Sequence, residues 1–403
     1  MALLHIRFED IDESHLRRLL VAGIAESRDI EYKRQPYTNS DNDKAECLAD
    51  ISSFANTAGG DILVGIDAKD GIPLKLVPLT GSADADILWV EDLARSCLQP
   101  RVNLRCRAIA LNGGGHILLI RVPRSYDPPH RMIRKGKGEN RFYARHSAGK
   151  YEPNVDELRA LFTLAPTLTE RVRNFRIDRI AKIAAGAAPT KLQAPDAIVL
   201  HVIPLSAFGL GAAIPLGQLD EQPHAFPPLG SRSPAHRLIN FDGALNLSNA
   251  DGPAKAQRAY VQIFRNGIVE AVYAGFANRQ AMHGNPMMKV PIIEGTLLTN
   301  GLRYLKSLVT LGVEPPFAIV VSLVNVKDLT IGYAHGGWPD ADDIVALDRD
   351  QLHFGEVVVE SVPQNNQELA AQIRPIFEQL ANAAGLANSP SFDGLAGYLP
   401  THA

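Results

Sequence analysis

Apolar and polar positions alternate along the chain at two spacings, one helical and one extended. Leu16, Leu19 and Leu20 fall on one face of a short helix over 13–23, closed near Gly23. The mixed stretch 29–34 reads as a strand. Asp41, Asn42 or Asp43 can cap a second helix whose apolar face holds Leu48, Ile51 and Ala55, and Gly59-Gly60 stops it. Ile62-Leu63-Val64-Gly65-Ile66 is short, β-branched and free of charge, the pattern of a buried strand. A helix near 86–97 and strands near 102–110 and 116–122 follow. Tyr126-Asp127-Pro128-Pro129 breaks the chain, 141–145 gives another strand, and 154–162 a closing helix capped by Asn154 or Asp156.

Pro166 opens a connector, followed by a basic helix over 169–183 and the small-residue run 184–189. The apolar stretch 197–204 predicts a strand. Residues 206–256, rich in Gly, Pro and Ser, predict a long irregular excursion. Arg265-Asn266-Gly267 between two apolar runs is a hairpin signal, because Asn-Gly suits the positive φ of a tight turn. A helix over 294–311, strands over 317–326 and 356–362, and an amphipathic helix over 366–384 complete the pattern. The expected architecture is α+β. It comprises an N-terminal α/β lobe over 1–165, a basic helix and linker over 166–190, and a second α+β domain over 191–403 whose sequence names no chemistry.

Composition adds exclusions. With 46% hydrophobic and 21% charged residues, the chain of 403 is that of a globular protein. No run approaches the roughly 18 uncharged apolar residues of a membrane helix. Met1–Phe8 leads straight into Glu9, Asp10, Asp12 and Glu13, unlike a secretory signal. Cys47, Cys97 and Cys106 have no metal-ligand spacing, so a reducing cytoplasm is the expected compartment. The net charge is −3, yet it is segregated: residues 1–100 carry 10 Lys/Arg against 18 Asp/Glu, and residues 101–150 carry 12 against 2. A block this basic, mostly arginine, suggests a phosphate-binding surface. A solvated face balancing the acidic block is the bland alternative.

The chemistry-bearing segment is Glu26-Ser27-Arg28-Asp29-Ile30-Glu31-Tyr32-Lys33. On a strand, Glu31 and Lys33 share a face. A carboxylate beside a lysine suits a metal-dependent nuclease, the carboxylate holding the cation and the ammonium offsetting charge on the phosphate. A surface salt bridge is the simpler reading. Asp67 closes the apolar strand and is the better ligand candidate, whereas Asp61 supports the turn after Gly60. Asn56-Thr57-Ala58-Gly59-Gly60 follows a helix and lacks Gly-Lys-Ser/Thr, so no ATP site of the phosphate-loop kind is present. His116, His130 and His146 have no mutual metal spacing; His130 could touch phosphate or serve structure. Cys47 reads as a small core residue.

Four segments in order resemble the Schlafen AlbA-2 domain over about residues 20–163. They are Glu26-Ser27-x-x-Ile30-Glu31-Tyr32-Lys33, the run Phe54-Ala55-Asn56-Thr57-Ala58-Gly59-Gly60 through Asp67, Pro128-Pro129-His130, and Arg141-Phe142-Tyr143-Ala144-Arg145. Members of that family include endoribonucleases that cut transfer and ribosomal RNA with three carboxylates and a divalent metal; bacterial members are described as DNA- or ATP-binding. By position, the resemblance implies Glu26, Glu31 and Asp67 as ligands of Mg²⁺ or Mn²⁺ beside Lys33. Arg121, Arg124, Arg131, Arg134, Lys135, Lys137, Arg141 and Arg145 would grip phosphates. The family often has two consecutive aspartates where this chain has Asp67-Ala68; if the second is the ligand, the chain is a binder. The Schlafen core also joins two lobes, so a homodimer would supply the second. The implied function is a metal-dependent endoribonuclease of structured RNA, with tRNA the leading substrate, in stress or phage defence. The alternatives are a non-catalytic DNA- or RNA-binding regulator and an ATP-binding switch.

Overall fold

Asp12 opens the first helix, α1 (Glu13–Val21), by accepting hydrogen bonds from the N–H groups of Ser14 and His15. The computed structural model describes residues 3, 6, 8–147, 149–209, 213–219, 221–277, 287–333, 345–393 and 397–399. It forms two units, Met1–Thr169 and Glu170–Ala403. After α1 come β1 (Ile30–Lys33), α2 (Asp41–Ala55), β2 (Gly60–Val64), β3 (Ile66–Lys69), β4 (Ile72–Leu76) and α3 (Ala83–Cys97). Next are β5 (Leu98–Gln99), β6 (Arg105–Ala110), β7 (His116–Val122), β8 (Arg131–Met132), β9 (Ala144–His146) and β10 (Gly149–Tyr151). Helix α4 (Val155–Ala184) runs on through the division.

The first unit is built on a four-stranded sheet ordered β1-β2-β7-β6, with β1 parallel to β2 and the remaining pairs antiparallel. Strand alternation sorts its side chains. Ile62, Val64, Leu118 and Ile120 pack against Leu48, Ile51 and Phe54 of α2 and Val90 and Ala94 of α3. Ile30, Tyr32, Leu63 and Leu119 face the other way, onto Leu16 and Leu19 of α1. Each such fully buried leucine or isoleucine contributes about 1.5–3 kcal/mol. On β1, therefore, Glu31 and Lys33 belong to the α2 side.

Three local expectations are corrected here. Ser40, not an aspartate, caps α2, its hydroxyl accepting from Asp43 N–H at 3.1 Å. The apolar strand does not continue to Asp67: Gly65 at φ +106° ends β2, and a Cβ there would lie 2.6 Å from Ile117. Pro166 does not break the chain into two helices. It lies exposed inside α4, where the lost N–H bond falls at a solvated position.

The second unit contains β11 (Ala197–Pro204), β12 (His236–Ile239), β13 (Gly243–Leu247), β14 (Ala259–Phe264) and β15 (Val269–Ala274). β16 (Met287–Lys289), α5 (Val290–Thr310), β17 (Phe317–Val324), β18 (Thr330–Gly332), β19 (Val345–Ala346), β20 (Gln351–His353), β21 (Val357–Val359) and α6 (Asn366–Ala383) follow. Its main sheet is ordered β12-β13-β14-β15-β11-β17, with β20 and β21 both on β17. The β12–β13 hairpin lies within the stretch expected to be irregular. Helices α5 and α6 cover one face, and Ile180 and Ile183 of α4 the other. At the centre, fully buried Glu270 accepts from Arg179 at 2.7 and 2.8 Å and from the Tyr260 hydroxyl at 2.9 Å, with His201 Nε2 at 3.1 Å. Burial raises that carboxyl, yet Arg179 and His201 outweigh it and hold it at about 2. Among the described residues, no helix is long and apolar enough to cross a membrane.

Candidate functional site

Glu31 and Lys33 project from β1 toward α2, where they enter a compact charged cluster. Lys33 Nζ lies 3.0 Å from Glu31 Oε1, 2.7 Å from Glu46 Oε1 and 3.1 Å from Asp50 Oδ2. Asp50 is 1% exposed and also accepts from Lys150 Nζ of β10 at 2.7 Å and from the Tyr37 hydroxyl at 3.0 Å. Arg145 of β9 pairs with Glu31, donates from Nε to the Ser27 carbonyl at 3.1 Å, and stacks 4.4 Å from the Phe54 ring centroid. Glu26 Oε1 accepts from Tyr32 N–H at 2.9 Å.

Burial would depress the Lys33 ammonium, but Asp50 and Glu31 reverse this and raise it. Burial would likewise raise Asp50, yet Lys150 and Lys33 hold it below the ordinary carboxyl value. Glu26 is raised, first by burial and then by the charge of Glu31, the Tyr32 N–H opposing. Lys33 and Asp50 are thus held in their charged forms, and Glu26 is shifted toward its protonated one.

Asp67 makes none of these contacts. It lies in β3, opposite Lys75 of β4, with Arg34 3.8 Å from its carboxylate. Among the described residues, no three His, Cys, Asp or Glu side chains are grouped to hold a metal ion. Glu26, Glu31 and Asp67 are therefore not gathered as the Mg²⁺ or Mn²⁺ ligand set expected of them, and Glu31 already has two cations. As placed, these residues do not fit a resident divalent ion.

The expected phosphate-gripping residues divide sharply. Arg121 is 2% exposed and bound to Asp61 (0% exposed) by two hydrogen bonds of 2.8 and 2.9 Å. It also donates to the carbonyls of Leu3 and Ile6. Arg121 and Asp61 face each other across β2 and β7, so Arg121 meets no solvent and Asp61 serves that pair, not a turn. Arg145 is also buried. Arg134 pairs with Asp41 and Arg141 with Glu152. Among the described residues, Arg131 reaches only the neutral Gln99 at 3.2 Å, and Lys137 only Asn42 at 3.2 Å. Arg124 and Lys135 are exposed, without a described partner. His130 is buried, with Nδ1 2.7 Å from the Pro100 carbonyl and its pKa lowered by burial.

Residues 26–154 match the family model described as Schlafen, AlbA_2. The first unit carries a Schlafen AlbA_2 domain. Among solved structures, the chain is similar to the DIP2311 protein of Corynebacterium diphtheriae, at 14% identity and a TM-score of 0.25, covering 35% of this chain and 29% of that one. It is also similar to the N-terminal domain of a putative ATP-dependent DNA helicase RecG-related protein from Nitrosomonas europaea. There the identity is 19% and the TM-score 0.27, covering 36% of this chain and 93% of that one. No curated protein matches the sequence.

Within the AlbA_2 domain, the Asn56–Gly60 run is a structural tie. Asn56 accepts from His130 N–H at 2.7 Å and donates to the Tyr143 carbonyl at 2.8 Å, while Thr57 Oγ1 accepts from Arg145 N–H at 3.0 Å. It anchors the two loops that carry the basic residues. Asp50 and Glu46 are not singled out by the sequence, and Lys150 stands there only as one cation of the basic block. The available signal was Asp50 itself, an acid one helical turn after Glu46 and beside the apolar residues of α2.

Proposed function

We propose that the AlbA_2 domain binds nucleic acid through Arg124, Arg131, Lys135 and Lys137. One observation carries this reading: among the described residues these four cations of the basic block meet no carboxylate, whereas Arg105, Arg121, Arg134, Arg141, Arg145 and Lys150 each do. An uncompensated cation gains most from a phosphate because it exchanges only water and counterions. The proposed ligand is structured RNA, with tRNA the first probe and duplex DNA the comparison. A homodimer would set two such surfaces on one ligand. In anisotropy titrations across salt, Arg124→Gln with Lys135→Gln should lower the log–log salt slope by roughly two and weaken all sequences alike. An unchanged slope overturns the reading.

The second reading is a metal-dependent endoribonuclease cleaving tRNA, favoured by Glu31 and Lys33 at 3.0 Å beside a protonatable Glu26. Glu31 would be available to a divalent ion only on release from Lys33 and Arg145, and the described residues as placed are not grouped to hold one. The same tRNA incubated with EDTA, Mg²⁺ or Mn²⁺ decides it. Metal-dependent fragments that vanish in Glu31→Gln support cleavage, and intact tRNA in every condition removes it.

A further inference from the structure

The second unit holds a groove of about 290 Å³ between the loop 222–225 and the exposed side of α5. Arg303, Lys306 and Ser307 share that side of the helix, being three and four residues apart. Across the groove stands His224. Arg303 donates to two backbone carbonyls, Arg232 at 2.8 Å and His224 at 3.1 Å, and Lys306 to the Gln364 carbonyl at 2.8 Å. Among the described residues neither cation has a carboxylate partner. A guanidinium has five N–H donors and an ammonium three, so both retain unused donors.

The facing wall is fixed from beneath. Arg237 of β12 donates to the carbonyls of Leu219, Gln222 and Ala225. Asn246 donates to those of Ala225 and Phe226 at 3.2 and 2.8 Å, and the Tyr304 hydroxyl to that of Pro227 at 2.5 Å. The loop therefore holds its shape before any ligand arrives. Two uncompensated cations, a hydroxyl and an imidazole around a preformed groove suit a multiply charged, many-acceptor anion better than a single carboxylate.

We propose that this groove binds a phosphate group, either inorganic phosphate or the phosphate of a mononucleotide. The site is independent of nucleic-acid binding by the AlbA_2 domain. Calorimetric titration of the full chain with inorganic phosphate and with AMP, at constant ionic strength, tests it. Saturable binding weakened about tenfold by Lys306→Gln, and unaffected by Lys135→Gln, is the expected result. Tighter binding of AMP identifies the monoester as the ligand, and equal binding identifies the free ion. The proposal falls if neither probe saturates, if Lys306→Gln binds as well as the wild type, or if Lys135→Gln removes the signal. Ser307→Ala, which leaves both cations in place, guards against a folding defect and should weaken binding less.

Discussion

Asp50→Asn should destabilise the AlbA_2 domain without changing its shape. The carboxylate is 1% exposed and lies between Lys33 Nζ at 3.1 Å and Lys150 Nζ at 2.7 Å. Removing one member of a buried ion pair costs about 3–5 kcal/mol, because the other charge remains buried. Lys33 keeps Glu31 and Glu46, so the low end, about 3 kcal/mol, applies. For a unit of 150–250 residues this corresponds to roughly 6–12 °C in Tm. Trp89 reports the transition, since its ring stacks on Tyr37, whose hydroxyl binds Asp50; Trp338→Phe leaves it the only tryptophan. The pH dependence has a definite sign. Because the folded carboxyl is held below its ordinary value, its contribution is present above that value and is lost as pH falls through the folded one. The gap between wild type and variant should therefore be full at pH 7 and close in acid. A Tm difference under about 1 °C at pH 7, or a gap that persists in strong acid, refutes the reasoning.

Two further perturbations separate structural charges from functional ones. Arg121→Met strands Asp61 in the core and should cost about 3–5 kcal/mol in urea unfolding; full stability with selectively lost RNA binding would return Arg121 to the interface. In the second unit, burial pushes the Glu294 carboxyl up to about 7, with Ser391 and Tyr333 opposing and Glu378 adding to the rise. The unfolded chain releases that proton near 4.5, so stability should fall by about 3 kcal/mol as pH rises from there to about 7, then level off. Glu294→Gln should flatten that segment of the pH–stability curve, and an unchanged curve counts against it.

What the sequence discloses here is whatever depends on neighbours in the chain. The Leu16–Leu19 face of α1 and the hairpin at Asn266-Gly267 follow from local periodicity and turn chemistry, and both occur. The order of segments likewise located the AlbA_2 domain. Partners distant in sequence were not legible. Arg121 interrupts the apolar strand His116–Val122, and Asp61 stands at the start of another. Each looks like a solvent-facing charge until the register of β2 against β7 places them opposite one another. Asp67 differs for another reason: treating Gly65 as an ordinary strand residue hides the turn that puts Asp67 in the β3–β4 hairpin. Pro166 by its usual effect predicts a break, but an exposed helix position tolerates it.

Partnership, not number, separates the cations that build this protein from those it offers to a ligand. The basic block alone marks a region, but six of its members pair with Glu9, Asp61, Asp41, Glu152, Glu31 or Asp50. A phosphate reaching Arg121, Arg145 or Lys150 must displace a carboxylate already desolvated beside it, which cancels most of the gain, whereas Arg134 and Arg141 pair with exposed carboxylates that a phosphate displaces at little cost. Arg124 and Lys135 carry no such debt. The same criterion, applied to the second unit, selects Arg303 and Lys306, which among the described residues are held only by neutral carbonyls. The two classes must then respond oppositely to neutralisation. Loss of a cation paired with a buried carboxylate lowers stability and leaves the salt dependence of binding alone, whereas loss of an unpartnered one changes binding and leaves stability nearly untouched.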